Sequence, residues 1–172
     1  GAAMETFGRL DGAFNNAGVE QDFTPLGDTT TQAYRFVMDI NVLGVLLSMK
    51  HQGPAMIASG GGAIVNNASV AGMIGMGTIP VYIASKHAVL GLTRALCNEW
   101  ASHGVNVNAI APGYTATDNT QALRDDPERS KALLERIPAG RFAEPAEIAG
   151  AAVFLASDAA AYCHGSVITV DG

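Results

Sequence analysis

The stretch Tyr82-Ile83-Ala84-Ser85-Lys86 decides how the rest of the chain is read. It opens a long apolar segment, Ile79 to Leu96, whose alanines, leucines and single small Gly91 predict a buried helix. Positions i and i+4 share one face of a helix, so the Tyr82 phenol and the Lys86 ammonium are neighbours. A free tyrosine titrates near 10, too high for a base at neutral pH. A cation about 5 Å away, at an effective dielectric of about 20, favours the phenolate by about 3 kcal/mol. That would lower the phenol's pKa by about two, before any opposing cost of burial. A tyrosine so tuned exchanges a proton with an alcohol or a carbonyl oxygen. Tyr-x-x-x-Lys also arises by chance on helices, so the pair gains meaning only from its surroundings.

Working outward, short apolar runs alternate with longer helical patterns. Gly12-Ala-Phe-Asn15, Ala63-Ile-Val-Asn-Asn67, Val105-Asn-Val-Asn-Ala-Ile-Ala111 and Gly165 to Gly172 read as strands. Ala2 to Phe7 reads as the end of a helix. Asp28-Thr-Thr-Thr31 offers an N-cap to a long helix with apolar residues at Tyr34, Val37, Met38, Val42, Val45 and Leu46. Further helices are expected over Glu128–Arg136 and Ala146–Ser157, the latter after Glu144-Pro-Ala-Glu147. Strands separated by helices of this length predict an α/β fold with a doubly wound parallel sheet. Ser69 follows the second strand, and Asn16, Ala17 and Gly18 end the first, where ligands bind in such sheets. Asn and Gly are also the commonest turn residues, and Pro112 would end a strand whatever its role.

The chain has 172 residues, enough for one domain with a core, and 48% of them are apolar against only 15% charged. Partner subunits are therefore expected to cover part of the surface. A net charge of −6 without a basic cluster argues against nucleic acid and against an anionic membrane. Cys97 and Cys163 lack metal-type spacing and read as free thiols in a reducing compartment; no metal site is expected. No apolar run approaches 18 residues, so a cytoplasmic protein is expected.

Asn15-Asn-Ala-Gly18, Asn41 within Ile40-Asn-Val-Leu-Gly44, Ser69 ahead of Tyr82-x-x-x-Lys86, and Pro112-Gly113 resemble, in order and spacing, the short-chain dehydrogenase/reductase family. The resemblance implies a Rossmann-type fold, an NAD or NADP cofactor and a small-molecule alcohol or ketone substrate. It implies Tyr82 as general acid/base, Lys86 as its tuning cation and as holder of the nicotinamide ribose, and Ser69 as hydrogen-bond partner of the substrate oxygen. It gives Asn41 a helix bend and a relay water beside Lys86. Asn16, Ala17 and Gly18 would border the cofactor's ribose, and Pro112, Gly113, Thr115 and Thr117 its nicotinamide. Family members pair through helices corresponding to Thr29–Met49 and Ile79–Ala101, which implies a homo-oligomer, a dimer of dimers. Asn98-Glu-Trp-Ala101, Ala109 to Thr120 and Arg136-Ile-Pro-Ala-Gly-Arg141 are most similar to sugar-acid dehydrogenases acting on deoxy-ketogluconates.

One part of the family pattern is missing. A dinucleotide-binding fold opens with a βαβαβ half whose first turn carries spaced glycines for the pyrophosphate. Nothing of that kind precedes Gly12, and at about 30 residues per βαβ unit roughly 75 residues are wanting. The expectation is thus a single domain, residues 1–172, that forms the carboxyl-terminal two-thirds of a dehydrogenase and lacks the first strands. On that reading NAD and NADP are not distinguished, the Gly12 strand leaves a sheet edge open, and the chain alone binds cofactor weakly or not at all. The alternative reading is a catalytically silent fragment that acts only as an oligomerising scaffold. Met73, Ile74, Met76 and Ile79 either line an apolar substrate pocket or simply pack. Arg124 either meets an acidic substrate or is a solvated charge.

Overall fold

Four parallel strands carry the chain, in a computed structural model that describes residues 1–172: β1 Gly12–Asn15, β2 Gly62–Asn67, β3 Val105–Pro112 and β4 Val167–Val170. They lie side by side in sequence order, with Asn15 opposite Asn66, Asn67 opposite Ile110 and Pro112 opposite Val170. Every crossover therefore returns the chain to the same edge, and all four carboxyl ends face one side. The helices are α1 Ala2–Phe7, α2 Thr31–Met38, α3 Gly44–Ala58, α4 Pro80–Trp100, α5 Gln121–Arg124, α6 Pro127–Leu134 and α7 Pro145–Leu155. The short apolar runs become strands because both faces of the sheet are covered. Ile64, Val105, Val107 and Ala109 pack with Val45, Met49 and Met56 of α3 and with Val89, Leu90, Cys97 and Trp100 of α4. Val65 and Ile110, pointing the other way, pack with Ile148 and Leu155 of α7. No helix is long and apolar enough to cross a membrane.

The long helix expected from Asp28 onward is not one regular helix. Asp39–Leu43, between α2 and α3, is wound as a π-helix centred on the buried Asn41. The buried row runs through Val37, Asn41, Val45, Met49 and Gly53, every fourth residue, and ends three on at Met56. Tyr34 and Leu46, expected on that row, are 48% and 40% exposed instead, beside the exposed Phe36, Leu43 and Leu47. β1 pairs only with β2, so its other edge is open and Phe14 is about half exposed.

Gly53 sets how closely α3 approaches α4. A Cβ added there would lie 2.6 Å from the Trp100 ring, and that indole is 7% exposed. Gly53→Ala gains about 1 kcal/mol of helix propensity but overpacks a rigid ring, at a cost of about 1–3 kcal/mol. The expected result is net destabilisation, read as a lower urea midpoint with unchanged slope. A variant as stable as the parent would show that α3 and α4 can separate freely.

Candidate active site

The site begins at the start of α4. Ile79 at its N-cap offers no side-chain acceptor, and Pro80 at the first helical position has no amide proton to satisfy. The next two amides, of Val81 and Tyr82, donate instead to Oε1 of Gln21, at 2.9 and 3.1 Å. The Thr24 amide donates to the Thr78 carbonyl at 2.7 Å, and Thr78 has φ 65°, uncommon for a β-branched residue. The loop after β1 thus clamps the turn that carries Tyr82. Nothing in the sequence marks Gln21 for this, because its partners lie some sixty residues away.

Replacing Gln21 by Ala removes an N-terminal acceptor worth about 0.5–2 kcal/mol. Gln21→Ala should lower kcat about tenfold, with the KM for cofactor little changed, because Tyr82 is loosened and the cofactor side is not. Gln21→Glu keeps the acceptor and should restore most of the rate. If the glutamate variant is as slow as the alanine one, Gln21 does not act through its oxygen.

One turn on, Lys86 sits beneath the tyrosine with Nζ 5.6 Å from the Tyr82 ring centroid. It is 7% exposed and donates to the Asn67 carbonyl at 3.2 Å, which leaves its other protons unspent. Burial pulls its pKa down to about 8, against an opposing pull from the Glu20 carboxylate. Tyr82 departs from the sequence-based expectation. Burial pushes its pKa up to about 12, Ser69 opposes the rise by hydrogen bonding, and Glu20 and Tyr114 add to it. The i, i+4 cation is present, but it is desolvation of the phenolate that sets the direction of the shift. Tyr82 is therefore a protonated phenol at neutral pH, a donor rather than a base. Glu20 is exposed as a residue, yet partial burial of its carboxyl raises its pKa, which Lys86 counters.

Asn41 holds this geometry from behind. Its Nδ2 donates to the Val19 carbonyl at 2.9 Å and to Ser85 Oγ at 3.1 Å, while Oδ1 accepts from the Val19 amide at 2.8 Å. Ser85 Oγ in turn donates to the Tyr82 carbonyl at 2.7 Å. Both amide protons are thus committed to the fold, so a relay water would have to use the remaining oxygen lone pair or the backbone. At the strand ends, Asn15 donates to Asn66 Oδ1 at 2.8 Å and Asn67 to Asn16 Oδ1 at 2.6 Å. Asn67, which the sequence did not single out, thereby joins the site twice.

Two cavities of about 620 Å³ each meet at Ser69 and Tyr82. One is lined by Asn16, Ala17, Gly18, Lys86, Pro112, Gly113, Thr115 and Thr117, the eight residues that the resemblance sets against the cofactor, and by Tyr82. Two observations fit a polar, close-lying ligand there: Asn67 Oδ1 is buried without a partner, and a Cβ on Gly18 would crowd Asn41 Oδ1 at 3.3 Å and Lys86 Nζ at 3.5 Å. The second cavity is walled by Met73, Ile74, Met76 and Ile79, so these residues do line a pocket. Arg124 reaches neither cavity; it donates to the Thr117 carbonyl at 3.1 Å and to Gln121.

Known proteins resemble this chain in sequence and fold. Residues 1–172 match throughout the family model described as Enoyl-(Acyl carrier protein) reductase. The chain is 46% identical over 171 residues to a 2-dehydro-3-deoxy-D-gluconate 5-dehydrogenase of Dickeya dadantii (strain 3937), covering 99% of the chain and 67% of that relative. It is also 46% identical over 171 residues to a 2,5-dichloro-2,5-cyclohexadiene-1,4-diol dehydrogenase of Sphingobium indicum, covering 98% of the chain and 68% of that protein. The crystal structure of a gluconate 5-dehydrogenase from Burkholderia cenocepacia J2315, in complex with NADP and tartrate, superposes with a TM-score of 0.95 at 37% identity. That match covers 99% of the chain and 67% of the structure. The chain thus spans about two thirds of the length of the relatives it matches.

Proposed function

This chain belongs to the short-chain dehydrogenase/reductase family, and from that premise we propose that the protein carrying it transfers a hydride between NAD or NADP and a secondary alcohol or ketone. A sugar acid is the favoured substrate class, given the relatives that act on 2-dehydro-3-deoxy-D-gluconate. The observation that carries the reading is the meeting of two cavities at Ser69 and Tyr82, one polar and floored by Lys86, the other walled by apolar side chains. The bound dinucleotide supplies or accepts the hydride at its nicotinamide ring. Lys86, Asn16, Gly18, Pro112, Gly113, Thr115 and Thr117 hold it, with the free protons of Lys86 toward the ribose.

In the reducing direction, Ser69 donates to the substrate carbonyl and steadies the charge that develops on oxygen. Tyr82, protonated through neutral pH, delivers its proton to that oxygen. Lys86, charged below about pH 8, stabilises the phenolate left behind and so limits the cost of the transfer. In the oxidising direction the phenol must first lose its proton, and the same buried site opposes that.

The scaffold reading is less favoured, because an association module has no need of a buried lysine beneath a buried phenol. Self-association itself remains part of the proposal: Phe36, Leu43, Leu46 and Leu47 lie exposed on one side of α2–α3, suited to a dimer of dimers. A cytoplasmic location belongs to it as well. The test is oxidation of NADPH and NADH against a panel of ketones in the protein that carries this chain. Turnover of a keto-sugar acid supports the full reading. Turnover of cyclohexanone alone supports the reaction and rejects the substrate class, and no turnover with any ketone rejects both.

A further inference from the structure

The apolar-walled cavity is also lined by two cations that have no ion-pair partner. Arg129, on α6, and Arg136, two residues beyond that helix, both line it together with Ser69 and Tyr82. The ion pairs of the chain are Gly1 with Glu5, Arg9 with Asp11 and Arg141 with Glu147; neither lining arginine takes part. Neither guanidinium donates to a protein oxygen; the bond of Arg129 to the Asp126 side chain is made by its backbone amide. Arg129 lies instead over the Phe23 ring, its guanidinium carbon 4.8 Å from the centroid, a cation–π contact that uses none of its donors. Both charges act on Tyr114, lowering its phenol against the rise caused by burial, and Tyr114 in turn acts on Tyr82.

An uncompensated pair of guanidiniums at a pocket wall suits a planar anion with two oxygens, which each fork can bind through parallel hydrogen bonds. The carboxylates of Glu20, Asp22 and Asp171 line the same cavity, but none comes within ion-pair reach of either arginine. They are acceptors suited to hydroxyl groups. Building on the dehydrogenase reading above, we propose that Arg136, assisted by Arg129, receives the carboxylate of a hydroxylated acid and so determines which carbon is presented to Tyr82. Lys86 belongs to the other cavity and plays no part in this selection. Arg124, the arginine that first drew attention in the sequence, is tied to the backbone at Thr117.

Nε–Hε NMR spectra of the arginine-labelled chain, titrated with D-gluconate and with the neutral polyol sorbitol, test the proposal without turnover. Arg129→Gln and Arg136→Gln assign the two signals, and both sites are exposed, so the variants should fold. The expected result is that gluconate shifts both signals, sorbitol shifts neither, and Arg136→Gln weakens gluconate binding about tenfold, the size of one charge-assisted hydrogen bond. Equal responses to gluconate and sorbitol, no response to gluconate, or undiminished binding in both variants would each overturn it. Kinetics separate this inference from the one it rests on. Arg136→Gln should raise KM for a keto-sugar acid far more than KM for cyclohexanone, which has no carboxylate. If the parent reduces no ketone at all, the dehydrogenase reading fails, and the NMR titration still decides the carboxylate site.

Discussion

Tyr82→Phe should abolish turnover while leaving the fold and cofactor binding intact. The substitution removes one oxygen and keeps the ring that packs above Lys86. Positioned proton transfer contributes about 10²–10⁴ in rate, so kcat should fall by at least about a hundredfold with the KM for cofactor nearly unchanged. Unfolding midpoints should match, because the lost hydroxyl's one indicated side-chain partner is Ser69. The pH dependence follows from the same two groups. With Tyr82 raised to about 12 and Lys86 lowered to about 8, the acid form of Tyr82 is available throughout the neutral range. As pH rises through about 8, Lys86 loses its charge and with it the stabilisation of the phenolate, so reduction should slow above that pH and not below it. A Tyr82→Phe variant that keeps more than about a tenth of the activity would remove Tyr82 from the chemistry.

Asn41→Leu carries the largest expected effect on stability. Leucine keeps the branched four-atom skeleton, with bulkier methyl ends, but offers nothing to the Val19 amide, the Val19 carbonyl or Ser85 Oγ, all of which Asn41 now satisfies. An unsatisfied buried polar group costs about 1–3 kcal/mol, and water can reach part of Val19, so a total of about 3 kcal/mol is expected. For a chain of this size that lowers Tm by roughly 6–12 °C. Activity should fall as well, since Gly18 and Lys86 both lie against Asn41 Oδ1 or its neighbourhood. A thermal scan within about 2 °C of the parent would mean that the π-helical turn persists without its side-chain clamp.

The strands were readable in the sequence because a parallel sheet covered on both faces leaves near-continuous apolar runs. Ala63–Asn67 and Val105–Ala111 show this, each observed within one residue at either end. The helical spacing of Tyr82 and Lys86 was readable for the same local reason. What depends on distant partners was not. The π-helical turn was announced only by the bend that the resemblance implied at Asn41; its clamp is the bonding of Asn41 to Val19, 22 residues earlier. The direction of the Tyr82 shift was missed because spacing reveals the cation but not the burial that defeats it. Gln21, Asn67 and Arg129 reach the cavities only through tertiary packing, so their sequence neighbourhoods carry no sign of it, and Arg136 was marked only by the sugar-acid resemblance of the stretch it opens.

The central claim is that hydride arriving at a carbonyl carbon is matched by the proton of Tyr82. It is tested most directly by following deuterium from NADPH labelled at C4 of the nicotinamide ring into the product of a keto-sugar acid. The protein carrying this chain should place deuterium on the new carbinol carbon, and its Tyr82→Phe variant should place almost none. Undiminished transfer in the variant, or product formed without deuterium from the labelled position, would contradict it.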